Sequence, residues 1–366
     1  MFNPNSLNEP IHLYLVCTPG LEELVLRELR LKSIELESCQ QVKGGIEVSA
    51  LPSKLLQLNN LKTITRVLLR LSEAKVRDFP KLYNKIIKIN WNPIIGDRTP
   101  KIRVTSHTSR LIHTDKISKA VLDGIEEYRR RNPVSKKYQN RQWSTDPEVF
   151  IRLEDDQLQV SFNTSGRSLY FRGNERQAGV APIRENIAAA LGLALTDGLT
   201  NSYTLIDPMC GSGTLLREHA NFFESEERPF AFENTVLEKT KQDNVLSSQK
   251  EVGYIGFDHD EIIIEKAKLN SPGRIRFERK DCFHLEKKDF AHPQIICNPP
   301  YNRRIKTNQS CFYKELYEAL EKQYGPERVL LVLPKGVRDQ INIEPVSTWT
   351  FRNGGFKVEA CLYHLK

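Results

Sequence analysis

Two short strings in the second half of the chain combine residue types and spacing that suit chemistry at a planar amine. The first reads Asp207-Pro-Met-Cys-Gly-Ser-Gly-Thr214 and follows the apolar run 203–206. An amphipathic stretch comes directly after it, so its glycines fall at a strand-to-helix turn, which is a ligand site in open α/β sheets. Gly211 and Gly213 lack a Cβ, which permits positive φ and lets a ligand approach the backbone closely.

This first string differs from the two commonest nucleotide-binding loops. It has neither the third glycine of the dinucleotide fingerprint nor a Gly-Lys-Ser/Thr that would hold phosphates. The helix that follows it leaves free backbone N–H groups at its start, which suit polar ligand groups. We therefore predict that the loop binds another ligand through the residues Asp207, Pro208, Met209, Cys210, Gly211, Ser212, Gly213 and Thr214.

The second string, Asn298-Pro-Pro-Tyr301, ends another short apolar run. The amide oxygen of Asn298 and the backbone carbonyl of Pro299 are hydrogen-bond acceptors, and the rigid rings of Pro299 and Pro300 fix the backbone there. Two acceptors that converge on one exocyclic NH2 group would orient its nitrogen for reaction, without an activated Ser, Cys or metal. Tyr301 offers a face on which a flipped-out base can stack. Such a string alone is also compatible with a plain turn, so its catalytic interpretation depends on the first string.

Acidic residues end the next two strand-like runs of this half. A carboxylate at Asp258 can accept hydrogen bonds from both hydroxyls of a ribose, and Asp281 comes where an adenine edge would lie. With their neighbours His259 and Cys282, they predict an adenosine-bearing ligand. Asp260 can instead be the N-cap of the helix that follows.

The chain has 366 residues, of which 39% are hydrophobic and 27% charged, as in a folded protein of two or three domains. Its net charge of +8 is unevenly distributed: residues 1–180 carry 29 Lys and Arg against 20 Asp and Glu, and residues 181–366 carry 25 against 26. Within residues 51–145 the counts are 21 against 7. A basic module beside a neutral one indicates a polyanion that is bound by the first and modified by the second, although solvated lysine-rich surfaces have the same composition.

The seven cysteines are scattered, without a Cys-x-x-Cys pair or a histidine at metal spacing, so we predict reduced thiols and no metal site. Cys297 adjoins the second string and could act as a nucleophile, but its apolar run favours a buried strand residue. The longest apolar runs are of strand length, and the N-terminus lacks the pattern of a signal peptide. We expect a cytoplasmic protein with no membrane partner, and the sequence does not predict its oligomeric state.

The N-terminal part alternates strands with helices. Residues 12–16 and 45–48 are strand-like, 21–31 is an amphipathic helix, and a further helix and strand end at Leu71. This order is that of a small ferredoxin-like α+β unit, which we assign to residues 1–72.

A second unit, residues 73–165, is predicted from a strand at 102–104, a helix at 114–130 and a hairpin that turns at Asp155-Asp156. Its basic residues cluster at the end of that helix and in the loop beyond it, where Tyr138 also lies. Cations near a helix C-terminus also stabilise the helix dipole, so a purely local role is the alternative for some of them.

Residues 166–182 form a polar connection, and strands then alternate with helices through residues 183–366. This alternation predicts a parallel, doubly wound α/β sheet. The last two strands, joined through Asn353-Gly-Gly355, are expected to form an antiparallel hairpin. The parallel strands are predicted at 204–207, 253–258, 275–280, 294–298 and 329–333, and the helices near 213–223, 261–270 and 312–324.

Four strings together resemble the THUMP-domain RNA N2-guanine methyltransferases: Asn163-Thr-Ser-Gly-Arg-Ser-Leu-Tyr-Phe-Arg-Gly173, Ala181-Pro-Ile-Arg-Glu-Asn-Ile-Ala-Ala-Ala-Leu191, Asp207 to Thr214, and Asn298 to Tyr301. The resemblance implies an α/β fold, with a Rossmann-like class I methyltransferase domain at 183–366. Before it would stand α+β ferredoxin-like and THUMP domains, at 1–72 and 73–165. It also implies S-adenosylmethionine (SAM) as cofactor, bound by the first string, Asp258 and Asp281, with Asn298 between donor and base.

The same resemblance implies methyl transfer to the exocyclic N2 of a guanosine in structured RNA, either ribosomal RNA or tRNA. Alternatives are an adenine N6 or protein glutamine methyltransferase that uses the same Asn-Pro-Pro-Tyr site, or a non-catalytic RNA-binding or ribosome-assembly module. The basic front half argues against a protein substrate. The residues expected to contact RNA are Lys101, Arg103, Arg110, Lys116, Arg129, Arg130, Arg131, Lys136, Lys137, Arg141, Arg303 and Arg304.

Overall fold

The fold was obtained as a computed structural model, and it describes residues 3–4, 6–139, 141–172, 183–226, 228–240, 251–283, 290–300 and 311–365. The contacts within the chain divide it into two compact units. Unit 1 takes in the described residues of 1–17, 33–171 and 226–244, and unit 2 takes in those of 18–32, 172–225 and 245–366. Much of the predicted connection at 166–182 lies outside the described residues.

Unit 1 is built on a seven-stranded sheet. The strands are β1 (Ile11–Cys17), β2 (Ser38–Val42), β3 (Gly45–Ala50), β4 (Ile64–Lys75), β5 (Lys101–His107), β6 (Glu148–Glu154) and β7 (Gln157–Asn163), in the order β2-β3-β1-β4-β7-β6-β5. Neighbours pair antiparallel except β5 and β6, which pair parallel. Because β4 pairs with β1 on one side and with β7 on the other, one sheet runs through residues 1–72 and 73–165.

One face of this sheet is apolar because the strands alternate and their registers agree. Leu13, Leu69, Phe162 and Val149 lie side by side across four strands, and each is fully buried. The helices of the unit are α2 (Leu55–Asn59), α3 (Phe79–Ile87), α4 (Asn92–Ile95) and α5 (Thr114–Arg131), and α3 packs against α5.

The turn between β6 and β7 confirms the hairpin expected at Asp155-Asp156. Both residues have positive φ, 51° and 63°. Two consecutive residues of positive φ make a type I′ turn, whose twist matches that of the flanking strands, and aspartate tolerates this conformation better than most residues.

Unit 2 has helices α1 (Glu22–Leu31), α6 (Glu185–Thr196), α7 (Thr214–Ala220), α8 (Glu261–Asn270) and α9 (Phe312–Tyr324). Its strands are β8 (Tyr203–Asp207), β9 (Val252–Asp258), β10 (Arg276–Arg279), β11 (Pro293–Cys297), β12 (Arg328–Pro334), β13 (Ser347–Asn353) and β14 (Phe356–His364). The sheet order is β10-β9-β8-β11-β12-β14-β13. The first five strands are parallel and the last two antiparallel, which confirms the doubly wound sheet and its terminal hairpin.

Buried apolar clusters cover both faces of this second sheet. One includes Ile187 and Leu191 of α6 with Leu24 of α1, and the other includes Leu316 and Leu320 of α9. Helix α1 therefore contributes to the core of unit 2, although the strands before and after it, β1 and β2, belong to unit 1. In the described part of the chain, no helix is both long and apolar enough to span a membrane.

Candidate active site

The predicted site residues of unit 2 meet at one edge of its sheet. Asp207 is in register with Gly256, two residues before the end of β9, and Arg279 at the end of β10 is in register with Asp258. Asn298 follows directly on β11, which pairs parallel with β8. Since carboxyl ends of neighbouring parallel strands share an edge, the loop 207–214, Asp258, Asp281 and Asn298 are brought together as predicted. In α/β sheets that edge is the ligand-binding one.

The loop 207–214 is anchored by the buried carboxyl group of its first residue, Asp207. Asp207 is 1% exposed, and its Oδ1 accepts a hydrogen bond from the backbone N–H of Met209 at 3.1 Å. Burial raises the pKa of Asp207 well above its usual value, an effect that the hydrogen bond opposes and the neighbouring Asp258 charge reinforces. The backbone N–H of Cys210 donates to the carbonyl oxygen of Phe257 at 2.8 Å, which ties the loop to β9. Pro208, Ser212 and Thr214 are buried as well, so the loop is packed into unit 2 over most of its length.

The two glycines of the loop are required for different reasons. Gly213 has φ +80°, and a Cβ there would lie 2.7 Å from Cζ of Phe277, so packing excludes a side chain. Gly211 has φ +52°, but a Cβ there would meet nothing within 4 Å in the described part of the chain. Gly211 thus borders open space, which is what a backbone needs where a ligand approaches it.

Asp258 is fixed by the loop and by the start of α8. Its Oδ2 accepts from the backbone N–H of Gly211 and its Oδ1 from that of Asp260, both at 3.0 Å. An ionised carboxylate has about four acceptor sites, so both oxygens keep capacity for ligand hydroxyls. His259 is 84% exposed, with Nδ1 3.4 Å from Oδ1 of Asp258. Asp260 accepts from the backbone N–H of Ile262 at 2.9 Å, which confirms it as the N-cap of α8.

Asp281, Cys282 and Cys297 lie close to the site and differ in how far they are buried. Asp281 is exposed, and its Oδ1 accepts from the backbone N–H of Phe283 at 3.0 Å. Cys282 is 4% exposed, and burial raises the pKa of its thiol to about 12. Cys297 is fully buried, and burial raises the pKa of its thiol well above the usual value. A buried, protonated thiol is a poor nucleophile, so Cys297 does not suit the role of an attacking cysteine.

The described part of the second string, residues 298–300, contains a side-chain acceptor without a partner among the described residues. Oδ1 of Asn298 is shielded from solvent and has no hydrogen-bond partner among the described residues. Pro299 is buried and Pro300 half-buried. The Tyr313 hydroxyl on α9 donates to the carbonyl oxygen of Pro300 at 3.4 Å, a contact that no local sequence pattern predicted. The other predicted residues of this region, Tyr301, Arg303 and Arg304, lie outside the described residues.

The basic residues of unit 1 fall at two ends of the β5–α5 pair. Because β6 is parallel to β5, the helix between them runs back along the strand, and its 18 residues span about 27 Å. Arg110 and Lys116 therefore lie where β5 ends and α5 begins. The other end carries the larger group, Lys101, Arg103, Arg129, Arg130, Arg131, Lys136, Lys137 and Arg141, which we call the basic end.

Some cations of the basic end already have protein partners. The Arg129 guanidinium donates to the carbonyl oxygens of Gly96, at 2.9 Å, and Arg98, so it has the local role that the sequence left open. Hydrogen bonds from Arg130 and Arg131 lower the pKa of Glu127 to about 2, while both arginines stay largely exposed. Arg103 pairs with Glu148 at 3.1 Å and is 48% exposed.

Beyond α5, two cations lie close to one aromatic ring. Nζ of Lys137 and the guanidinium of Arg141 are 4.9 and 5.2 Å from the centroid of the Tyr138 ring. Arg141 also donates to the carbonyl oxygen of Asn234 at 2.6 Å, which anchors the loop within unit 1. An aromatic ring with positive charge close to it is a combination that proteins use to bind single-stranded nucleic acid.

Comparison with known proteins supports the assignment of the catalytic fold. Residues 172–338 match the model of the RMKL-like methyltransferase domain, UPF0020. SMU.472, a candidate methyltransferase complexed with S-adenosylhomocysteine (SAH), is similar with TM-score 0.78 and 21% identity, over 98% of this chain and 99% of that one. A methylase of Listeria monocytogenes, named as specific for N6 of adenine in DNA, gives 0.80 and 19%, over 99% and 98%. TrmN from Thermus thermophilus gives 0.70 and 17%, over 97% and 100%.

At these identities the likeness establishes the fold. The chain is a mixed α/β protein, its unit 2 has the class I methyltransferase fold, and its architecture is shared over nearly its whole length with the three solved structures. The ferredoxin-like and THUMP assignments of residues 1–72 and 73–165 stay predictions.

Proposed function

We propose that this chain transfers a methyl group from SAM to the exocyclic N2 of a guanosine in structured RNA. One observation carries the proposal: the loop 207–214 shares the carboxyl edge of unit 2 with a shielded amide acceptor, Oδ1 of Asn298, which has no hydrogen-bond partner among the described residues. The chemistry, the donor and the RNA are each supported by separate groups of residues.

The loop 207–214 and Asp258 fit a methyl donor that carries adenosine. Gly211 borders open space, and the carboxylate of Asp258 is held beside it with acceptor capacity left for ribose hydroxyls. Asp281 stands one strand further along the edge, where an adenine amine would find an acceptor. When bound, SAM supplies an electrophilic methyl group on its sulfonium, and the SAH complex of the similar protein SMU.472 agrees with this choice of donor.

On the acceptor side, the residues of this chain orient an amine. Oδ1 of Asn298 accepts one hydrogen bond from the base NH2 group, and the Pro299 carbonyl accepts the other. The nitrogen gains the methyl group, and one of its protons leaves to water. Since the amine lone pair is normally delocalised into the ring, catalysis consists of holding the nitrogen in line and stabilising its growing positive charge.

Three features favour RNA as the substrate. Residues 51–145 carry 21 Lys and Arg against 7 Asp and Glu, and the described part of the basic end keeps exposed cations at Arg130, Arg131 and Lys136. The ring of Tyr138 and the two cations close to it are the kinds of group that bind an unpaired base. Resemblance of the motif strings to THUMP-domain enzymes favours guanine N2, and TrmN is a solved structure of the same fold.

Two measurements on the full chain test the proposal. Calorimetry should detect stoichiometric binding of SAM, and absence of binding would refute the enzyme interpretation. Transfer of labelled methyl from SAM to total tRNA and to ribosomal RNA should then yield N2-methylguanosine after digestion to nucleosides and mass spectrometry. The appearance of N6-methyladenosine, or of methylated protein only, would assign the same site to another planar amine. The similar Listeria protein named for adenine N6 makes adenine the second candidate.

A further inference from the structure

We propose that Lys335, Lys357 and Arg352 form a phosphate-binding row that grips the RNA backbone beside the base in the active site. This inference rests on the proposed function, since it assigns a further contact surface to the same substrate. None of the three residues belongs to the sequence motifs discussed above.

The row is created by strand register. Arg352 of β13 is directly opposite Lys357 of β14. On its other side, β14 pairs with β12, where Pro334 is opposite Val358, and the backbone N–H of Lys335 donates to the carbonyl oxygen of Lys357 at 3.2 Å. Directly opposite residues of an antiparallel pair point to the same face, so three cations stand side by side on one face, and all three are exposed.

Such a row is unfavourable in the absence of an anion. Like charges directly opposite each other in a sheet are destabilising. In the described part of the chain, none of the three cations has an ion pair, and the Lys335 side chain and then Arg352 lower the pKa of Lys357. Glu359, two residues further along β14, raises the pKa of Lys357 only weakly. The arrangement therefore provides a site for an anion that bridges strands.

The neighbouring cation Arg338 differs from the row because it has an acidic partner. Its guanidinium lies 3.5 Å from the carboxylate of Asp339, and Glu344, Asp339 and Glu359 all raise the pKa of Arg338. Of these three acidic residues, only Glu359 also raises the pKa of Lys357, and its effect there is smaller than that of Lys335.

The position of the row suits a substrate rather than a free ion. Leu331 of β12 is in register with Cys297 of β11, so Lys335 lies about 10 Å beyond Asn298 along the strand direction, on the adjacent strand. This is the carboxyl edge, where the base would be held. Phosphates next to a flipped-out nucleotide carry the nearest negative charges of such a substrate, and lysine and arginine are the residues that bind them.

The test is the salt dependence of RNA binding by full-length Lys335→Gln/Lys357→Gln. The probe is a fluorescently labelled RNA hairpin with one guanosine in its single-stranded loop, measured by fluorescence anisotropy in the presence of SAH. Each lost phosphate contact should reduce the slope of log affinity against log salt by about 0.7, so the double variant should lose about 1.4. Its affinity should fall about 25-fold at 0.1 M monovalent salt and converge with wild type near 1 M.

A matched control is Lys268→Gln/Lys322→Gln. Both lysines are exposed on unit 2, in the last turns of α8 and α9, helices that lead back to the opposite edge of the sheet. This variant has the same change in net charge and should keep the wild-type slope. In addition, Lys357→Gln should keep or raise Tm, because it removes a like-charge contact rather than an ion pair.

The outcomes separate this inference from the proposed function. If wild type methylates RNA and the Lys335/Lys357 variant keeps the wild-type slope, the row is not a phosphate site although the function stands. If slope and affinity fall as expected but no RNA is methylated, the row binds RNA and the proposed reaction is wrong. An equal loss of slope in the control variant would overturn the inference, as would a wild-type chain that does not bind the RNA.

Discussion

Replacement of Asn298 by alanine should separate catalysis from folding and from donor binding. Most polar side chains near the core of a protein have partners, so their removal damages stability and function together. Oδ1 of Asn298 differs, because it is shielded from solvent and has no hydrogen-bond partner among the described residues. Within the described part of the chain, this acceptor therefore adds no hydrogen bond to the fold and keeps its capacity for a substrate.

The magnitudes follow from that difference. An unsatisfied buried acceptor carries a desolvation penalty of about 1–3 kcal/mol, which wild type already bears and Asn298→Ala removes. Against this gain stands the packing lost with the side chain, so the free energy of unfolding should change by less than about 1 kcal/mol. Loss of one preorganised hydrogen-bond partner of a reacting group slows catalysis by about 10²–10³-fold, or 2.7–4 kcal/mol.

Three assays on the same preparations check these expectations. Urea unfolding gives stability, calorimetry with SAM gives donor affinity, and single-turnover transfer of labelled methyl to RNA gives the chemical step. Asn201→Ala is the matched control, because Asn201 is exposed just before β8 and should have no effect in any assay. Asn298→Asp retains an acceptor oxygen and should recover part of the rate lost in Asn298→Ala.

A wild-type rate of transfer in Asn298→Ala would refute the role assigned to this amide. So would a loss of several kcal/mol of stability, since it would make Asn298 a structural residue whose partner supports the loop. Equal inactivity of the aspartate and alanine variants, with donor binding intact, would indicate that the NH2 group of Asn298, and not its oxygen, acts on the substrate.

Further predictions concern the loop, a buried histidine and a buried ion pair. Gly211→Ala should weaken SAM binding at least tenfold in calorimetry, because the added methyl group enters the open space beside the loop. The control is Gly273→Ala, at a glycine with φ +75° that borders open space elsewhere. It carries the same backbone strain of about 1–2 kcal/mol and should bind SAM normally. Burial lowers the pKa of His219 from 6.5 to about 4, so the unfolded chain binds a proton that the folded chain does not. Urea unfolding should therefore show stability lost by up to about 3 kcal/mol as pH falls through that window, and His219→Gln should lose this slope. Lys62 is 2% exposed and paired with Glu226, so Lys62→Met should destabilise by about 3 kcal/mol in thermal or urea unfolding, while Lys62→Met/Glu226→Gln should recover most of it.

The alternation of unit 2 could be predicted from sequence because its strands are short apolar runs and its helices amphipathic. Helices predicted at 261–270 and 312–324 have those bounds in the structure, and the strand predicted at 253–258 begins one residue earlier. Buried parallel strands produce this signal because both of their faces are covered. The site residues of unit 2 followed, since strand ends locate the loops at which they lie.

Strand β2 could not be predicted in the same way. Its sequence, Ser-Cys-Gln-Gln-Val, is polar and its residues are mostly exposed, because it is the edge strand of the unit 1 sheet and pairs only with β3. Edge strands in solvent need no apolar alternation, so their pairing is determined by a partner elsewhere in the chain. The ion pair of Lys62 with Glu226 could not be predicted either, since the two residues are far apart in sequence.

The arrangement of the basic residues on the surface could not be predicted from sequence either. Composition identified the charge of residues 51–145 but could not say which cations share a surface. The parallel pairing of β5 with β6 separates Arg110 and Lys116 from the basic end, and carbonyl oxygens of Gly96 and Arg98 engage Arg129. Conversely, Arg352, Lys357 and Lys335 are too dispersed in sequence to form a charge cluster, and only register places them side by side.

The two sides of the candidate site also differ in how far their polar groups are satisfied. At the loop 207–214, both oxygens of Asp258 accept backbone N–H groups, and the loop is anchored to the protein through Asp207 and Cys210. On the amine side, Oδ1 of Asn298 is without such a partner in the described residues. A ligand of the loop therefore meets polar groups that the protein itself already engages, whereas an amine beside Asn298 would supply a hydrogen bond that no described residue supplies. Discrimination among planar amines must then come from contacts to the base beyond Asn298, because contacts to phosphate position a nucleic acid without reading its bases.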